Sequence, residues 1–194
     1  MLFLVSIIIL STVRYRVLAD ATVIAVEPAT GIAAVGDSFQ VNVTVASVTN
    51  LTGWQFGLYF KNTVLNCTGI AEGPFLRTGG STYHIFNVNN TYNSTYGLVL
   101  AACSLLGSGV SVNGSGVLAM LTFQAIDLGN TTLHLADTKL SDEKIPPQPI
   151  SHVTTDGTVN VATVMRFAPA VNVVTIGDSF QVNVSVGGVT NLTG

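Results

Sequence analysis

The side chains that could bridge, ligate or move protons are few. They include Cys67 and Cys103, the histidines His84, His134 and His152, and, among ten acidic residues, the carboxylates Asp127, Asp137, Asp142, Glu143 and Asp156. The histidines are scattered at spacings that match no metal motif. The acids do not alternate as in a calcium-binding loop, so at most an incidental calcium pair is left and no metal or cofactor is expected in this chain. There is no Gly-x-Ser-x-Gly elbow, no phosphate-cradling glycine loop and no paired-carboxylate motif. Only a carboxylate pair assembled from distant strands would leave room for hydrolysis, and the chain is expected not to be an enzyme. Counted by parity from Leu65, Cys67 points to a core face; counted from Val99 and Ala101, Cys103 does likewise. Two inward thiols in an exported chain form either a disulfide between sheets or a pair of buried free cysteines packing as small hydrophobes.

The elements that must position these groups are strands. Phe39, Val41, Val43 and Val45 alternate with Gln40, Asn42 and Thr44, the period of two expected of a strand with one buried face. Trp54, Phe56, Leu58 and Phe60 alternate with Gln55, Gly57 and Tyr59 in a second amphipathic strand. Further strands are expected over Thr22–Val26, Val64–Ile70, Tyr83–Val88, Tyr96–Ser104, Val117–Ile126, Thr131–Ala136 and Thr158–Val161. Turn residues fill the gaps at Gly73-Pro74, Gly79-Gly80, Asn89-Asn90, Gly107-Ser-Gly109, Asn113-Gly-Ser-Gly116 and Gly129-Asn130. Pro146, Pro147 and Pro149 form a stiff edge loop. No long helix is expected, and nine strands in one module imply a β-sandwich.

Residues 35–53 return 141 positions later as 176–194, with 15 of 19 positions identical, and the match extends back to Ala21 and Ala162 with 20 of 33 identical. The chain is therefore modular: an N-terminal hydrophobic segment (1–20), one β-sandwich (21–161) and a truncated start of a second copy (162–194). Only 9% of residues are charged and the net charge is −3, which supports neither nucleic-acid nor anionic-membrane binding. The apolar run Leu2–Val13 is shorter than the roughly 20 residues a spanning helix needs. It reads as a signal-peptide core with Ala19-Asp20-Ala21 as the cleavage region. Arg14 and Arg16 follow the run rather than precede it, so either the start lies upstream of Met1 or the segment is an uncleaved anchor and the one route to a membrane. A secreted or cell-surface location is expected. Nine Asn-x-Ser/Thr sequons fit export, with Asn89, Asn93 and Asn113 in loop-like sequence as the best glycan acceptors.

Four stretches in order carry a resemblance: Val35-Gly-Asp-Ser-Phe-Gln-Val-Asn-Val43; Val48-Thr-Asn-Leu-Thr-Gly-Trp-Gln-Phe-Gly-Leu-Tyr-Phe60 with Val64-Leu65; Gly116-Val-Leu-Ala-Met-Leu-Thr-Phe123; and Asp156-Gly-Thr-Val-Asn-Val161. Together they resemble the cohesin domain over nearly the whole module. The resemblance implies an all-β, nine-stranded jelly-roll sandwich related to carbohydrate-binding modules, and a dockerin partner that carries its own calcium. It also implies a flat docking face on the strands holding Trp54–Phe60 and Tyr96–Ser104. The face residues would be Gln55, Gly57, Tyr59, Leu98, Leu100 and Ala102, with His84 and Phe86 from a neighbouring strand. Leu98 and Leu100 oppose Val99 and Ala101, so that strand is apolar on both sides. It is either a central strand packed under a loop or an interaction patch.

Three functions remain in view: a tandem scaffold docking dockerin-like or other extracellular proteins, a carbohydrate-binding module, and a structural surface repeat. Coplanar rings among Tyr59, Tyr83, Tyr92 and Tyr96 would favour polysaccharide; a leucine and alanine patch would favour docking.

Overall fold

The computed structural model describes residues 20–168 and 173–187. The apolar run at the N-terminus and the Asn191 sequon lie outside them. The elements are β1 (Val23–Glu27), β2 (Thr30–Ala33), β3 (Ser38–Leu51), β4 (Gly53–Lys61), β5 (Leu65–Glu72), a one-turn helix α1 (Pro74–Arg77), β6 (Thr82–Asn89), β7 (Tyr96–Leu105), β8 (Val112–Ala125), β9 (Gly129–Ser141), β10 (Val153–Thr155), β11 (Gly157–Val161), β12 (Val164–Ala168) and β13 (Asn183–Gly187).

Two sheets form the module, one in the order β10-β1-β3-β8-β5 and the other β2-β11-β9-β4-β7-β6. The alternating residues of β3 and β4 explain why the sheets stack. Val41, Val43 and Val45 of the first face Trp54, Phe56, Leu58 and Phe60 of the second in one buried core, each such side chain contributing on the order of 2 kcal/mol by burial. The Phe60 and Phe123 rings meet edge to face at 5.1 Å between the two sheets. The result is an all-β sandwich of the expected jelly-roll type.

Strand limits differ from the sequence reading where the local pattern is weak. β2 and β10 are additional strands, each of four residues or fewer and each paired parallel to a neighbour at the margin of its sheet. The expected turn at Asn113–Gly116 is instead the start of β8. Here the β3–β8 register shifts, and side chains replace ladder bonds: Asn50 N–H donates to Asn113 Oδ1 (2.8 Å) and Ser47 N–H to Ser115 Oγ (3.0 Å). Ser47 and Asn50 take φ of 54° and 57° to do so. Likewise β9 runs on to Ser141 through a bulge at Asp137, φ 50°, which returns Leu140 to the core. The proline-rich loop is pinned by Asp142 Oδ1, which accepts from Lys144 N–H (3.1 Å) and Gln148 N–H (2.8 Å).

The described part of the second copy repeats one strand pairing of the first. β12 and β13 pair antiparallel with Val164 opposite Gly187 and Ala168 opposite Asn183, the register of Val23 with Ala46 and Glu27 with Asn42 in β1 and β3. Ala162 N–H donates to Ala33 O at 2.9 Å, so this hairpin follows the module with no intervening spacer.

Candidate functional site

β4 lies between β9 and β7. Its even-numbered residues from Trp54 to Phe60 fill the core, so Gln55, Gly57 and Tyr59 stand on the outer face. Directly opposed residues share a face, and the register sets Ala102 against Gln55, Leu100 against Gly57 and Leu98 against Tyr59. These six residues therefore occupy one surface. Gly57 shapes its middle: a Cβ there would lie 3.6 Å from Cδ atoms of both Leu98 and Leu100. The two leucines thus lean over the strip that Gly57 leaves bare. Leu98 is covered, at 5% exposure, whereas Leu100 remains 45% exposed.

His84 and Phe86 belong to the opposite surface. The β6–β7 register sets His84 against Cys103 and Phe86 against Ala101, both inward residues. Phe86 stacks on Trp54 (6.4 Å) and His84 on Phe86 (4.5 Å), and His84 Nδ1 lies 3.4 Å from the buried Glu72 carboxylate. β6 contributes Tyr83, Ile85 and Asn87 to the outer face instead, opposite Ser104, Ala102 and Leu100. Tyr83 and Ile85 are 62% and 61% exposed. Sequence alternation could not find them, because Tyr83-His84-Ile85-Phe86 offers large rings or apolar groups to both sides.

At the other end of β4 an open groove of about 550 Å³ is lined by Tyr59, Lys61, Tyr96, Thr132, His134 and Ala136, with Thr131 beneath. Lys61 N–H donates to the buried Thr131 Oγ1 at 2.8 Å, fixing β4 on β9. His134 Nδ1 meets Asp156 Oδ2 at 2.7 Å, and the other Asp156 oxygen accepts from Leu135 N–H at 2.9 Å. Burial, then the neighbouring Tyr92 and Asp137, raise the Tyr59 phenol above its ordinary pKa, so it is a neutral hydroxyl. The Tyr59 and Tyr92 rings meet at 75° and do not form the flat platform that a polysaccharide chain stacks on. His152, the remaining histidine, is committed through both nitrogens, to Ile150 O (2.8 Å) and Thr138 Oγ1 (2.9 Å).

The bridge considered for Cys67 and Cys103 is not formed; both are buried free thiols. Each sulfur has its own acceptor, Gly69 O for Cys67 and Glu72 Oε1 for Cys103, both at 3.5 Å. Burial raises the pKa of both thiols, and for Cys103 the adjacent Glu72 carboxylate adds to this and pushes it up to about 12. Neither is a reactive thiolate. Among the described residues no three His, Cys, Asp or Glu side chains could hold a metal ion, and no helix is long and apolar enough to cross a membrane. Asn89, Asn93 and Asn113 are exposed. The Oδ1 atoms of Asn89 and Asn93 cap local backbone, accepting from Thr91 N–H and from Thr95 and Tyr96 N–H respectively, and Asn113 Oδ1 accepts across the strands from Asn50 N–H.

Comparison with solved structures finds the same sandwich. A non-cellulosomal cohesin from the archaeon Archaeoglobus fulgidus is 18% identical with a TM-score of 0.58, the match covering 74% of this chain and 92% of that one. A type I cohesin from Pseudobacteroides cellulosolvens is 18% identical at 0.58, covering 80% and 99%. A chain of a type I cohesin–dockerin complex from Clostridium thermocellum is 13% identical at 0.59, covering 74% and 100%. Curated protein sequences give no match. The sequence profile of the cohesin domain matches residues 22–161, the whole sandwich from the start of β1 to the end of β11, and the chain belongs to the cohesin domain family.

Proposed function

We propose that residues 21–161 form a non-catalytic docking module that captures a dockerin-type protein on the outer face of β9, β4, β7 and β6. The observation that carries this reading is the set of exposed apolar residues Leu100, Ile85 and Tyr83 on the neighbouring strands β7 and β6, with Leu100 directly against Gly57. Such a patch on a flat sheet, with Gln55 and Asn87 at its border, has the apolar centre and polar rim of a protein interface. Similar solved structures include cohesin–dockerin complexes, which supports a dockerin as the partner class. Calcium would then belong to the dockerin. The carbohydrate reading loses support from the perpendicular tyrosines.

Residues 162–194 would open a second module of a tandem scaffold, since β12 and β13 repeat the β1–β3 register. The same reading places the scaffold outside the cell, where the exposed sequons could carry glycans. Asn89 pairs with Leu98 at the β6 margin of the outer face, so a sugar there would border the docking surface.

The test is Leu100→Asp. Pull-downs from the producing organism's secretome, and binding of recombinant dockerins with calcium, should lose about a hundredfold in affinity, the scale of a central hot spot, while the unfolding midpoint stays unchanged. Recovery of the same proteins by the variant would remove the proposed face. Retention on insoluble polysaccharide, independent of Leu100, would favour the carbohydrate reading.

A further inference from the structure

The distribution of positive charge in the module is uneven in a way that the apolar patch does not explain. The chain has ten acidic and seven basic residues, and only four of the basic ones, Lys61, Arg77, Lys139 and Lys144, fall within residues 21–161. Lys144 is paired with Asp142 at 3.0 Å. Arg77 stands at the end of α1, beside the hollow that holds Glu72 and His84. Lys61 and Lys139 make no ion pair among the described residues, and both stand on the outer face. Lys61 follows the inward Phe60 and lines the groove with Tyr59 and Tyr96. Lys139 precedes the inward Leu140, pairs with Gln55, and lines a second hollow with Ala102 and Ser104.

The two lysines thus bracket the patch. From Gln55, the partner of Lys139, to Lys61 is six residues of β4, about 20 Å at roughly 3.3 Å per residue. The carboxylates on the same face do not cancel both ends. Asp156 is held by His134 and by Leu135 N–H, and Asp137 sits between the lysines at the β9 bulge, close enough to Tyr59 to raise its pKa. The groove at the Lys61 end is rich in donors, with the Lys61 ammonium and the Tyr96 hydroxyl, and no unpaired carboxylate lines it.

We infer that the protein docking here presents acidic side chains at both ends of its contact, one entering the Tyr59–Tyr96 groove toward Lys61 and one meeting Lys139, around an apolar centre seated on Leu100. This rests on the docking reading above and adds the charge of the partner to it. Charges at the margin of an interface select partners and speed encounter more than they add affinity. The recognition signal is therefore expected in which sequences bind and in the salt dependence of binding.

The experiment needs no natural partner. A display library of helical hairpins, randomised equally for acidic, basic, polar and apolar residues on one surface, is selected against the full chain, against a Lys61→Glu/Lys139→Glu variant, and against Leu100→Asp. Binders of the wild type should favour Asp and Glu over Lys and Arg by about threefold or more and weaken about tenfold between low and physiological salt. The double variant should reverse the preference, and Leu100→Asp should retain neither pool. A pool that needs Leu100 yet shows no acidic preference, or the same preference for both charge states, overturns the inference and leaves the docking face standing. Binders indifferent to Leu100→Asp, or no binders at all, overturn the docking reading itself.

Discussion

Leu98 and Leu100 point away from the core yet differ ninefold in exposure, 5% against 45%; Leu98 is flanked by Tyr59 and Asn89, Leu100 by Gly57 and Asn87. A Cβ at Gly57 would meet only ordinary contacts at 3.5–3.6 Å, so Gly57→Ala is expected to leave stability unchanged or raise it by up to about 1 kcal/mol. Gly97, on the inward side of the next strand, behaves oppositely. Its Cβ would sit 2.3 Å from Phe60 Cζ, and Gly97→Ala should cost about 1–3 kcal/mol as the ring is displaced. Urea titration of both variants checks the pair, and equal losses would contradict this account of the two strips. Cys103 supplies a pH test. Its thiol ionises near 9.0 when unperturbed and is pushed to about 12 in the fold, so the unfolded chain loses this proton first. Its contribution is fully present below pH 9 and declines as pH rises toward 12. Unfolding midpoints measured across pH 8–11 should fall less steeply for Cys103→Ala than for the wild type.

The strands show where sequence sufficed and where it did not. β4 and the middle of β3 declare themselves through alternation over many residues, and the core they build follows from it. β2 and β10 are too short to alternate, and they exist because the neighbouring strands offer an unpaired margin. Asn113-Gly-Ser-Gly116 reads locally as a turn, but the Ser115 and Asn113 side chains bond across to β3 and draw the glycines into β8. For the candidate face, Gln55, Gly57, Tyr59, Leu98, Leu100 and Ala102 share a surface by parity alone. The placement of His84 and Phe86 on the opposite side of the sheet depends on a register with β7 that no local pattern encodes. Trp54 is buried at 3% exposure in the core, where its large ring contributes by area. Its stacking on Phe86 at 6.4 Å ties the β6 side of the face to the centre of the sheet. Trp54→Ala is accordingly expected to cost about 3–5 kcal/mol, seen by denaturant titration, and to weaken docking only through loss of folded protein.

For the whole molecule, the contrast is between a closed sandwich and the opening hairpin of its copy. Val182, Val184 and Val186 are exposed, whereas their equivalents 141 positions earlier, Val41, Val43 and Val45, are buried. Among the described residues β13 pairs with β12, whereas β3 lies between β1 and β8 and faces the second sheet. In this 194-residue segment, amides of 164–168 and 183–187 should therefore exchange with deuterium far faster than those of β3 and β8. Protection equal to that of β3 would mean that the hairpin is covered. The proposed docking face lies entirely within the closed part, on β4, β6, β7 and β9. The most direct test of that claim is the amide-exchange footprint of a partner selected for dependence on Leu100. Slowed exchange confined to 53–61, 82–89 and 96–105, with 134–139 at the margin and 38–51 and 112–125 unchanged, is the predicted result. Protection centred on 38–51 and 112–125 instead would place the interface on the other sheet and contradict the account.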